Sequence, residues 1–115
     1  MYLNYERKGN TVVVYIDSPF NIDNSELIKK DVCSLIDQFR DCFFILNMER
    51  VEYIDSTGIV LLIVFSKKLE SYKRNLKVTN LGFAVKKVFQ LFNLSEFIGA
   101  YDNEDEAVKS MDVSL

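Results

Sequence analysis

The 115-residue chain contains no histidine and only two cysteines, Cys33 and Cys42, nine positions apart. Without an imidazole it can assemble neither a Cys-His nucleophile nor a mixed Cys/His zinc cluster, and two reduced, mostly buried thiols are what free cysteines usually become. Proline is as scarce: Pro19 is alone, beside 49% hydrophobic and 27% charged residues, a profile that is neither disordered nor fibrous. Long apolar runs are missing too. The longest, 59–65, falls far short of the roughly 20 residues that span a bilayer, and the N-terminal MYLNYERKGN has no signal-peptide core. Positive charge is not in excess, since the net charge is -3, the pI is near 4.9, and the basic residues cluster only at Lys67, Lys68, Lys73, Arg74 and Lys77. Nothing there gathers phosphate backbones, so direct nucleic-acid and membrane partners are not expected. A Gly-rich nucleotide loop and a metal-ligand cluster are also absent, and DNEDE lacks the glycine and spaced ligands of a calcium loop. The expectation is a cytoplasmic, non-enzymatic protein without cofactor, metal or catalytic residues. A chain of this length can bury a core unaided, so residues 1–115 are expected to form one domain.

What is present alternates. Residues 3–7 and 11–16 are β-branched and aromatic stretches around the turn Lys8-Gly9-Asn10, which predicts an antiparallel hairpin. Asp17-Ser18-Pro19-Phe20-Asn21 breaks the pattern, because Pro19 cannot donate to a ladder. Asp23 followed by Glu26 has the spacing of a reciprocal helix cap, and Leu27, Ile28, Val32, Leu35, Ile36 and Phe39 recur at helical spacing up to a predicted end near Arg40. The apolar run 42–46 suits a central strand covered on both faces. Residues 76–79 read as a strand. Phe83, Val85, Val88, Phe89 and Phe92 then mark a helix, Phe97-Ile98 a short last strand, and Asn103 with Glu106 caps a terminal helix carrying Ala107, Val108 and Met111. The order β-β-α-β-α-β-α-β-α implies an α/β fold: a mixed sheet of about five strands with an N-terminal hairpin, mainly right-handed crossovers and about four helices packed against it.

Between these elements, residues 51–69 read VEYIDSTGIVLLIVFSKKL. The apolar run alone could be a buried strand, but with its continuation to Tyr72 the segment spans about sixteen residues, the length of a helix. On it Ile59, Leu62, Ile63 and Ser66 share a side with Leu69, whereas Val60, Val64 and Lys67 project elsewhere. The first two turns therefore carry more apolar surface than one face needs, for a partner or for a second neighbouring element. Asp55-Ser56-Thr57-Gly58 falls at the helix start, where free amides and the positive end of the dipole favour an oxygen. A hydroxyl there is first of all a cap. A phosphoryl group would be held by the same amides, while Asp55 beside it would repel the added charge, the electrostatic profile of a switch that releases a partner.

Three stretches carry a family resemblance: FFILNMERVEYIDSTGIVLLI, GFAVKKVFQLFNLSEFI and DNEDEAV. Together they resemble the STAS domain, in particular the bacterial anti-sigma factor antagonists, from Tyr5 to Met111. The first is similar to the family's central strand, loop and helix start with its Asp-Ser-Ser/Thr-Gly signature; the second has its apolar spacing and late Leu-x-x-Phe; the third has its terminal acidic cap and Glu-Ala pair.

The resemblance implies a STAS-like sheet and a partner switch. The antagonist binds an anti-sigma factor that is also an ATP-dependent serine kinase, is phosphorylated on the serine after the aspartate, and is reset by a PPM-type serine phosphatase, so transcription is controlled indirectly. Mapped here, the phosphoacceptor is Ser56. The partner-binding residues are Phe20, Asn21, Asp23, Asn24, Asp55, Thr57, Gly58, Val60 and Val64, on a monomer or weak dimer. The chain departs from the pattern at Ser-Pro-Phe-Asn, with Asn21 where the family carries an acid, which leaves one fewer carboxylate near Ser56. An alternative is a non-phosphorylated STAS scaffold or accessory subunit of a stress-sensing or lipid-transport complex. A small-ligand sensor is a third, for which the sequence shows no convergent polar set.

Overall fold

In the computed structural model, which describes residues 3–112, the hairpin forms as β1 (Asn4–Lys8) and β2 (Thr11–Tyr15), paired antiparallel. Gly9 turns the chain at a φ of +61°, a left-handed conformation that glycine adopts without steric cost. There follow α1 (Ser25–Gln38), β3 (Phe43–Asn47), α2 (Ser56–Ser71), β4 (Leu76–Thr79), α3 (Phe83–Leu91), a 3-10 turn at Leu94–Glu96, β5 (Gly99–Tyr101) and α4 (Glu104–Asp112). The strands lie in the order β1-β2-β3-β4-β5, and each pair after the hairpin is parallel. The expected mixed five-stranded sheet with four helices is the observed one.

Because the strand order never reverses, right-handed crossovers carry α1, α2 and α3 to the same face of the sheet. The alternation along the strands agrees. Val12, Val14, Phe44, Leu46, Leu76 and Val78 point into one large core with Ile28, Val32, Leu35 and Ile36 of α1, Leu62, Phe65 and Leu69 of α2, and Val85 and Phe89 of α3. The opposite face holds a small cluster, Val13 and Ile45 against Ala107 of α4, flanked by Tyr15, Phe43, Tyr101 and Val108. Both faces of β3 are thus covered, as its continuous apolar run requires. Asp37 on α1 accepts from Tyr72 Oη at 2.7 Å and pairs with Lys68 Nζ at 3.0 Å, which ties α1 to α2. The Tyr72 hydrogen bond, then that of Lys68, holds the Asp37 carboxyl below the usual carboxylate range.

Some expectations are corrected. The Asp23–Glu26 cap is not made: the N-cap of α1 is Asn24, without a side-chain cap bond, and Asn21 Oδ1 takes the amides of Asp23 and Asn24 at 3.1 and 3.3 Å instead. The last strand begins at Gly99, not at Phe97, because burial of both Leu94 and Ile98 folds the intervening residues into a turn, closed by Ile98 N donating to Leu94 O at 2.9 Å. Leu27, Phe83 and Phe92 sit at apolar positions of the helical pattern yet are exposed, since the two helices bury narrower stripes than the spacing suggested. The second cap forms, with Asn103 Oδ1 accepting from Glu106 N at 2.9 Å; the Met111 side chain lies outside what is described. Cys42 is buried, Cys33 partly so, and burial pushes both thiols up.

Candidate functional site

After β3 the chain does not enter α2 directly. Met48, Val51 and Ile54 are buried and pin the connection to the core, and Ile54 forms an isolated parallel bridge with Phe20 from the loop between β2 and α1. This bridge brings the two loops together. Asp55 follows in extended backbone as the N-cap of α2, and its carbonyl accepts the first helical bond from Ile59 N at 3.0 Å.

The Asp55 carboxylate uses both oxygens. Oδ1 accepts from Gly58 N at 3.0 Å, a side-chain cap, and Oδ2 accepts from Ile22 N at 3.2 Å across the loop. The hydroxyls expected to cap the helix are therefore released from that duty. Ser56 is the first helical residue, is exposed, and its hydroxyl makes no hydrogen bond to any described residue. Thr57 is half-buried. Gly58 is required by close approach: a Cβ there would lie 2.6 Å from both Ile54 Cγ1 and Phe20 Cδ1 and nearer still to the Phe20 carbonyl oxygen.

Asn21 closes the other side. Its Oδ1 faces two backbone donors, so its Nδ2 must point the other way, and it donates to Tyr53 Oη at 2.9 Å. The Tyr53 oxygen is the acceptor in this pair, which leaves the phenolic proton free to be offered outward. An acid at position 21 would have taken that proton. Asn24 Nδ2 donates to the Pro19 carbonyl at 3.0 Å and Ser25 Oγ to that of Ile22 at 3.1 Å, so the loop is tied at nearly every residue.

Of the residues expected to meet a partner, Phe20, Asn21, Asp23, Asn24, Asp55, Thr57 and Gly58 lie at this corner, Val60 and Val64 lie farther along α2, and not all reach the surface. Phe20 is fully buried and Gly58 is buried; both shape the site from beneath. Val64 is half-buried against the core, while Val60 remains 56% exposed. Most of the surplus apolar surface of α2 is covered by the fold: Leu61, Leu62, Phe65 and Leu69 are buried and Ile59 partly so, leaving Val60 and Ile63 outside. Two exposed residues stand at this corner: Ile22 at 68%, within the turn 20–24 expected to meet a partner, and Tyr53 at 48%, which sequence reasoning missed. The Phe20–Ile54 bridge and the hydrogen bonds Ile22–Asp55 and Asn21–Tyr53, all long-range contacts, place them there. Elsewhere Asn80, Lys86, Gln90, Tyr101 and Asp102 line a hollow of about 360 Å³ between α3 and β5, a polar grouping that their spread in sequence had concealed.

A model of the STAS domain matches residues 2–107. The chain belongs to the STAS domain family. Among solved STAS structures it is 26% identical to the anti-sigma factor antagonist SpoIIAA in its unphosphorylated form, over 96% of each chain, with a TM-score of 0.77. The Bacillus cell fate determinant SpoIIAA in its phosphorylated form is 25% identical over 95% of this chain and 98% of that one, with a TM-score of 0.68. An anti-sigma factor antagonist domain protein of Planctomyces limnophilus superposes at a TM-score of 0.84, over 96% of this chain and 97% of that one, with 16% identity, a likeness of fold. Among the described residues of this STAS domain, no helix is long and apolar enough to cross a membrane.

Proposed function

We propose that this STAS protein is an anti-sigma factor antagonist that works as a phosphorylation-controlled binding module. In its unmodified form it binds an anti-sigma factor with serine kinase activity, and phosphorylation of Ser56 releases that partner. The carrying observation is the division of labour at the start of α2: Asp55 caps the helix, so the exposed Ser56 hydroxyl is spare. In the transfer, Ser56 Oγ bonds to the γ-phosphorus of ATP, the bond to the bridging oxygen breaks, ADP leaves, and the hydroxyl proton passes to a base on the kinase. A PPM-type phosphatase then returns the serine with water as the acceptor. The solved relative SpoIIAA, described in both an unphosphorylated and a phosphorylated form, supports this reading.

Release follows from charge. A phosphoryl group brings about -1.5 to -2 at neutral pH to a turn that already holds Asp55, so any partner surface fitted to the neutral hydroxyl meets a dense anion. Around Ser56, the exposed Ile22, Tyr53 and Val60 supply the apolar contacts. The test is incubation with the anti-sigma factor kinase of the same genome and ATP, followed by mass spectrometry. One phosphate on Ser56 and none on Ser56→Ala is the expected result. Absence of modification, with partner binding intact, would instead point to an unphosphorylated scaffold.

A further inference from the structure

We propose that Asp55 is a latch between the phosphoacceptor and the loop joining β2 to α1: a phosphoryl group on Ser56 displaces the Asp55 carboxylate from both of its donors and frees the Ile22 amide. The inference rests on Ser56 being the modified residue. Two amides on different elements, Gly58 N on α2 and Ile22 N on the loop, depend on the two oxygens of this single carboxylate.

A phosphoryl group on the adjacent residue seeks the unpaired amides of the first turn, the donors that a helix start offers to an anion. The Gly58 amide of the same turn is held by Asp55, whose charge the phosphoryl group on the neighbouring residue meets at once. Two like charges then contest one donor. The phosphoryl group has the larger charge and three acceptor oxygens, so it takes the amide and repels the carboxylate. When Oδ1 leaves Gly58, the carboxylate rotates as a rigid unit and Oδ2 leaves Ile22. The Gly58 amide gains a replacement acceptor; the Ile22 amide does not.

The consequence is confined to one point of the loop. Asn21 is uncharged, and its bonds to the amides of Asp23 and Asn24 and to Tyr53 carry no net charge that a phosphate would repel. The Phe20–Ile54 bridge is backbone and stays. What is lost is the tie that holds Ile22, whose side chain is 68% exposed beside the site. The unmodified protein thus presents a fixed apolar contact at Ile22, and the phosphorylated protein a loosened one, so modification acts on the preorganisation of the docking surface as well as on its charge.

The experiment places phosphoserine at position 56 during translation, without a kinase, and follows backbone amide exchange by NMR in the full chain. Ile22 should exchange about tenfold faster than in the unmodified protein, the loss expected for one hydrogen bond to a charged acceptor. Asn24 and Gly58 should stay as protected as before. Asp55→Asn, which keeps one carbonyl oxygen for the cap, should speed Ile22 by a similar factor without any phosphate. Ser56→Gln adds bulk without charge and should leave Ile22 slow. An Ile22 amide indifferent to phosphoserine, or one that responds equally to Ser56→Gln, overturns the latch. Because the phosphate is installed independently, failure of the kinase assay above counts against Ser56 as acceptor and leaves this outcome readable on its own.

Discussion

The starts of α1 and α2 meet across the Phe20–Ile54 bridge, yet they are satisfied by different chemistry. At α1 a neutral amide, Asn21 Oδ1, takes the amides of Asp23 and Asn24. At α2 a carboxylate, Asp55, takes Gly58 N and reaches over to Ile22 N. A charged cap responds to a new charge beside it; a neutral one does not. The site therefore has one rigid wall and one responsive wall, and the spare hydroxyl of Ser56 stands at the responsive one.

The comparison breaks most completely if the bridge itself is lost. Phe20→Ala empties a fully buried aromatic site and should cost about 3–5 kcal/mol in denaturant unfolding, with both helix starts released together. Next is Gly58→Ala, whose methyl group would collide with Phe20 and Ile54; a loss of about 2–3 kcal/mol is expected, since backbone and two packed side chains must shift. A variant as stable as the parent would show that the two loops are not in contact. Asp55→Ala removes the charged cap and should cost about 1–2 kcal/mol, measured by thermal or chemical melting. The smallest effect belongs to Ser56→Ala: within about 0.5 kcal/mol on stability, because the hydroxyl holds nothing, with complete loss of phosphorylation. A large destabilisation by Ser56→Ala would mean that the hydroxyl caps after all, and the contrast between the walls would fall.

Much of this was legible in the chain. The β-branched and aromatic stretches around Lys8-Gly9-Asn10 marked the hairpin, the apolar run 42–46 marked the central strand, and the sixteen-residue length of α2 decided helix over strand. The signature Asp55-Ser56-Thr57-Gly58 located the corner. Which oxygen would cap it was not legible, since serine, threonine and aspartate are all good caps and spacing does not rank them. Nor was the fate of the apolar surplus: Phe20, at an expected docking position, is fully buried, while Ile22, two residues on, is exposed. Periodicity has no purchase on a loop.

The sequence by itself determined the elements, their order and the presence of a hydroxyl at a helix start, because local propensity and apolar period act over a few residues. Only the tertiary structure decided that Asp55 would serve two elements, that Asn21 would turn Tyr53 into an acceptor, and that Ile22 would stand beside Ser56. Those outcomes depend on donors and acceptors 33 and 32 positions apart, all but the Ile22 amide on side chains, being brought to hydrogen-bond distance. That proximity is set by sheet order and core packing, which no short stretch of the chain encodes.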